Sequence, residues 1–124
     1  MIDHLGISVK DYAKSKAFYL NALSPLGIGI VMEVTDADGQ ALGLGAEGKP
    51  FFWVSEAPIR GTMHLAFAAK TRAQVDAFYA AALKAGAADN GHPGIRPHYH
   101  PNYYGAFVID PNGINLEAVC HTPD

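Results

Sequence analysis

The chain has 124 residues, 49% of them hydrophobic, a length and apolar content suited to one domain with its own core. Nine Lys and Arg stand against 12 Asp and Glu, a formal charge of -3 with no basic run, which argues against an electrostatic grip on nucleic acid or anionic lipid and favours a small-molecule partner. Cys120 is the single cysteine, so an intrachain disulfide is excluded. The opening MIDHLGISVK lacks the charged and long apolar regions of a signal peptide, and no apolar run approaches the roughly 18 residues of a membrane span. The expectation is a soluble, cytoplasmic protein in which Cys120 is a small core residue.

The chain opens on the first copy of an internal repeat. HLGISVKDYAKSKAFYLNAL, from His4, aligns without a gap to HLAFAAKTRAQVDAFYAAAL, from His64, and nine of 20 positions are identical. Leu5, Ile7 and Val9 alternate with His4, Gly6 and Ser8, the period of a half-buried strand. Asp11 stands in an N-cap position before an apolar-periodic stretch without Gly or Pro, which predicts a helix over residues 12 to 23. Three extended segments follow, Ile28 to Thr35, Gln40 to Gly45 and Phe51 to Val54, separated by turn chemistry at Asp38-Gly39 and at Glu47-Gly48-Lys49-Pro50.

Glu56 to Gly61, with Pro58, joins the two halves. In the second, Leu65, Phe67 and Ala69 alternate with His64, Ala66 and Ala68, and Thr71 caps a helix expected over residues 72 to 85. Next come a Gly/Pro-rich stretch near Gly91 to Pro97, a strand Gly105 to Ile109, the turn Asp110-Pro-Asn-Gly113 and a strand Ile114 to Val119. Each half reads βαβββ, with module 1 at about residues 1 to 57 and module 2 at about 60 to 122. A module of this size buries little surface alone, so residues 1 to 124 form one α+β domain whose halves share a curved sheet.

On both first strands, the face opposite the large apolar residues carries a histidine and then only small side chains, which leaves room for a cavity. A pseudo-twofold relation between the halves would bring His4 and His64 toward one axis. Glu117, in the frame Asn115, Glu117, Val119, would add a carboxylate that needs a proton, a partner or a cation. Two imidazoles and a carboxylate on one face form the donor set of a mononuclear divalent centre with open positions, and an apolar pocket lined by unligated histidines is the competing reading. Arg96 to Tyr104 is polar, aromatic and turn-rich, as loops over pockets are. Within it His98 or His100 could act as acid or base, and Tyr103 or Tyr104 could donate to a bound oxyanion, with plain turn and surface roles open for each. Trp53 offers a large apolar wall, and His92 and His121 read as turn and terminal residues.

His-Leu-Gly-Ile-Ser-Val from His4, the Phe18-Tyr19 helix, His64-Leu-Ala-Phe, and the ending Phe107-Val-Ile-Asp-Pro-Asn-Gly-Ile-Asn-Leu-Glu117-Ala-Val resemble the vicinal oxygen chelate superfamily of glyoxalase I, extradiol dioxygenases, fosfomycin-resistance thiol transferases and bleomycin-resistance proteins. The resemblance covers essentially the full chain. It implies paired βαβββ modules (the glyoxalase-like fold) in an open, curved mixed β-barrel with flanking helices, often within a homodimer. It also implies a divalent metal (Zn, Fe, Mn, Ni or Co) held by His4, His64 and Glu117, acting as a Lewis acid on a chelated, oxygen-bearing substrate. Where glyoxalase I carries a second Glu, this chain has Trp53, which argues against glyoxalase I itself. The expected function is a metal-dependent lyase, isomerase, dioxygenase or thiol transferase with Trp53, Arg96 and Tyr103 in its substrate pocket. A metal-free binding protein of the bleomycin-resistance type is the alternative.

Overall fold

The computed structural model describes residues 2 to 37, 39 to 59 and 61 to 124; Asp38 of the expected Asp38-Gly39 turn and one residue of the join, Arg60, lie outside them. In chain order the elements are β1 (Leu5–Val9), α1 (Tyr12–Leu23), β2 (Gly29–Asp36), β3 (Gly39–Ala46), β4 (Lys49–Glu56), β5 (His64–Ala68), α2 (Arg72–Lys84), β6 (Ala88–Ile95), β7 (Tyr104–Ile109) and β8 (Asn115–Cys120). Both helices start where short polar side chains replace the missing intrahelical acceptor: Asp11 accepts from the Lys14 N–H and Thr71 from the Gln74 N–H.

The fold is α+β, built of two βαβββ units. Their strands form two four-stranded mixed sheets, ordered β1-β4-β3-β2 and β5-β8-β7-β6, with the first pair in each parallel and the rest antiparallel. The halves share a core and not one continuous ladder. Ile7, Val9, Leu42, Leu44, Phe52 and Val54 of the first sheet and Leu65, Ala106, Val108, Leu116 and Ala118 of the second bury one face against the helices. Cys120 is buried in the same core. Edge-to-face contacts run from Phe18 through Tyr19 and Phe52 to Phe67, at centroid distances of 5.0, 5.2 and 5.4 Å, and cross from one half to the other. Among the described residues no helix is long and apolar enough to cross a membrane.

The stretch that reads as Gly/Pro-rich turn is a strand. Residues from Ala88 to Ile95 pair with β7, but the register shifts twice, between Asp89 and Gly91 and between Gly91 and Gly94. An edge strand tolerates Pro93 because only one side of it must supply ladder hydrogen bonds, and its bulges absorb the glycines.

A buried polar contact ties the halves together. The Tyr19 hydroxyl of α1 donates to Asp110 Oδ2 at 2.5 Å, while Asp110 Oδ1 accepts from the backbone N–H groups of Asn112 and Ile114 at 2.8 and 2.7 Å. Burial, then the adjacent carboxylate, raises the Tyr19 pKa far above the ordinary phenol value, so its proton stays in place. Asn112 Nδ2 adds a bond to Ser15 Oγ at 3.1 Å. The repeat-related Tyr79 instead reaches Asp89 of its own half.

Tyr19→Phe should lower unfolding free energy by about 1.5–3 kcal/mol, because it strips a donor from a buried carboxylate. Tyr79→Phe, at an exposed site, should leave the urea midpoint nearly unchanged. Equal, small effects from both would contradict this account.

Candidate functional site

Strand alternation gives each sheet a face turned away from the helices. Across the first sheet, register aligns Gly6, Trp53, Gly43 and Met32; across the second, it aligns Ala66, Glu117, Phe107 and Gly91. Trp53 and Glu117 therefore occupy equivalent places. The indole lies across Gly43, where an added Cβ would stand 2.9 Å from its Cη2 atom, so the aromatic floor of the first sheet depends on a bare backbone there.

Glu117 is the centre of the second face. Its side chain is only 3% exposed, whereas that of His64 beside it is 49% exposed. His64 Nε2 lies 3.0 Å from Glu117 Oε1, and the Tyr103 hydroxyl donates to Oε2 in a short hydrogen bond. His64 Nδ1 is 3.1 Å from the Asn115 carbonyl oxygen, which can only accept, so Nδ1 carries a proton and Nε2 is the nitrogen turned to the carboxylate. Desolvation first, and then the Glu117 hydrogen bond, raise the Tyr103 pKa above its ordinary value, which keeps Tyr103 a neutral donor.

These atoms fit a divalent ion in part. Two donors each about 2.0–2.2 Å from one metal sit roughly 3 Å apart when they subtend about a right angle, close to the observed spacing. The Nδ1–H bond to a backbone carbonyl and the hydroxyl on the second carboxylate oxygen are the outer contacts that orient such ligands. His4 does not join them within one chain. Its Nδ1 pairs with Asp3 Oδ1 at 2.7 Å, Asp3 in turn accepts from Lys49, and His4 lines a separate cleft of about 420 Å³ with Phe51, Ala66 and Ala68. Among the described residues no group of three His, Cys, Asp or Glu side chains is gathered for one ion. The repeat puts His4 and His64 on equivalent faces, but of different sheets.

The expected loop residues separate. Tyr103 enters the site. Tyr104, its strand neighbour, points to the opposite side, where its hydroxyl donates to Asp76 of α2 at 2.6 Å and Arg72 lies over its ring, so it is not placed to touch a ligand at Glu117. His98 is exposed against Tyr99, and His100, also exposed, accepts from the Asn102 N–H and packs on His121. Neither histidine bonds to Glu117 or His64. Arg96 lies over Phe107, whose ring stacks beside His64 at 6.2 Å. Phe107 and the Asn115 carbonyl were not singled out from sequence, although Phe107 sits in the alternating frame Gly105, Phe107, Ile109.

The profile of the Glyoxalase/Bleomycin resistance protein/Dioxygenase superfamily matches residues 1–118. The chain belongs to this superfamily. Comparison with curated proteins gives no match. Among solved structures, a glyoxalase/bleomycin resistance protein from Albidiferax ferrireducens T118 is 28% identical, with a TM-score of 0.78 over 98% of this chain and 99% of that one. A superfamily enzyme from Burkholderia phytofirmans PsJN shares 21% identity (TM-score 0.72; 97% and 98% covered). TnmS3, an antibiotic binding protein from Streptomyces sp. CB03234, shares 18% (TM-score 0.68; 98% and 96% covered). The latter two likenesses are of fold alone.

Removing the Tyr103 hydroxyl leaves a buried carboxylate oxygen without its donor, so Tyr103→Phe should cost about 1–3 kcal/mol in urea unfolding. Tyr104→Phe should cost clearly less, since Asp76 is exposed to water. A larger loss at Tyr104 would show that the Glu117 contact does not matter for stability.

Proposed function

We propose that the chain is a divalent-metal-dependent enzyme of this superfamily, acting on a small oxygen-bearing molecule at the open face of the second sheet. The carrying observation is the orientation of His64: Nδ1 donates to the Asn115 carbonyl, and Nε2 faces Glu117 Oε1 across 3.0 Å. An ion bound there would be held by His64 Nε2 and Glu117 Oε1 and would supply Lewis-acid polarisation of substrate oxygens. Tyr103 holds the carboxylate in place, and Phe107 gives the substrate an apolar wall beside it. The third donor in this reading is His4 from a second copy of the chain. A twofold dimer that lays the first open face of one copy on the second open face of the other would cover Met32 and Trp53 and complete two sites at once.

A metal-free ligand-binding role is the second reading, and Trp53 favours it. Where the repeat would place a second carboxylate, an indole spread over Gly43 makes an aromatic floor suited to a flat apolar molecule. TnmS3, similar in fold, is an antibiotic binding protein.

Metal analysis by mass spectrometry, after incubation with Zn, Ni, Mn or Fe(II), should find about one ion per chain in the wild type and almost none in His64→Ala or Glu117→Gln. Mixing His4→Ala with His64→Ala should restore one intact site per heterodimer if the donors come from two copies, and none if they come from one. No metal in the wild type with any of the four ions would remove the enzymatic reading in favour of ligand binding.

A further inference from the structure

Arg96 is seated as a fixed cation on the same face. Its Nη1 donates to the Gly94 carbonyl at 2.9 Å and its Nη2 to the His92 carbonyl at 2.8 Å, and the guanidinium carbon lies 5.4 Å over the Phe107 ring. The seat exists because two neighbours lack side chains. A Cβ on Gly94 would stand 3.2 Å from Nη1, and one on Gly91 would stand 3.2 Å from Nη2 and 3.0 Å from Phe107 Cδ1. The two carbonyls hold the group without neutralising it. Among the described residues no Asp or Glu oxygen lies within ion-pair distance of Arg96. Two of the five guanidinium N–H donors are used, which leaves three. Holding a half-buried, uncompensated guanidinium against an aromatic ring, with donors to spare, calls for an anion from outside the chain.

We propose that Arg96 anchors an oxyanion subsite that receives the carboxylate of a small organic acid, whose body lies along Phe107 toward His64 and Glu117. Arg96 and His64 both contact Phe107, so that ring separates the anionic end of the ligand from the His64–Glu117 pair. The planar fork of a guanidinium matches a carboxylate, and its restraint by Gly94 and His92 means little order is lost when the anion docks. This subsite deepens the preceding reading and rests on its assignment of the second open face as the ligand cleft.

Benzoate, its neutral counterpart benzamide, and inorganic phosphate can each be titrated into the full chain, read by calorimetry and by the Nε–H resonance of Arg96. Benzoate should shift that resonance and bind about tenfold more tightly than benzamide, and Arg96→Gln should weaken benzoate about tenfold. Gly94→Ala keeps the charge but crowds the seat, and should weaken benzoate severalfold with the fold intact by circular dichroism. Benzoate affinity independent of Arg96, benzamide binding as well as benzoate, or an Arg96 resonance unmoved by benzoate would overturn the proposal. Tighter, Arg96-dependent binding of phosphate would overturn the carboxylate assignment. Metal content of Arg96→Gln, expected at the wild-type level because Arg96 is not a donor, separates the failure of this subsite from failure of the metal site.

Discussion

A carboxylate sealed in an apolar core must find donors for both oxygens, and Asp110 finds them in the Tyr19 hydroxyl and in two N–H groups of its own turn. The consequence reaches the site through the chain. Those N–H bonds shape the turn that launches β8, and the Tyr19 bond pins that turn to the helix of the other half. With its start fixed, β8 runs beside β5 in the register that sets Asn115 opposite His64 and Glu117 opposite Ala66. The His64 contacts to Asn115 and Glu117 follow from that register. A contact on the buried side thus governs geometry on the open side.

The two halves use one scaffold for different surfaces. At equivalent places one has a buried carboxylate with a hydrogen-bond partner on each oxygen and the other an indole over a glycine. A site built from both faces would be chemically lopsided, with donors and charge on one wall and an aromatic plane on the other. This suits a ligand with one polar edge and one flat apolar side better than a symmetric one.

Much of this was legible in the sequence because duplication states the same fact twice. The two copies of the strand-helix unit share spacing, and the caps at Asp11 and Thr71 mark both helix starts. The strand from Ala88 to Ile95 was hidden, since Gly91, Pro93 and Gly94 carry turn chemistry and only an edge position with bulges makes them compatible with pairing. Alternation identified the faces of His4 and His64, but a face is not a location, and periodicity does not tell which of two sheets a residue lines. Tyr103 and Tyr104 are adjacent at the start of a strand and so point to opposite sides, a distinction invisible while the segment reads as loop. The Arg96 seat was equally hidden, because it depends on absent side chains at Gly91 and Gly94 and not on any motif.

The contact between Trp53 and Gly43 also constrains how this surface can change by descent. With the indole in place, a methyl group at position 43 would stand 2.9 Å from a rigid ring atom, so that step is blocked first. Exchange of Trp53 for an acid meets no such obstacle, and it removes the nearest of the atoms crowding Gly43, leaving Pro50 Cβ 3.1 Å from an added methyl group. The route from an aromatic wall to a second carboxylate is therefore one-way in its order: position 53 must move before position 43, and a lineage that had already filled position 43 could not regain the flat indole without first emptying it.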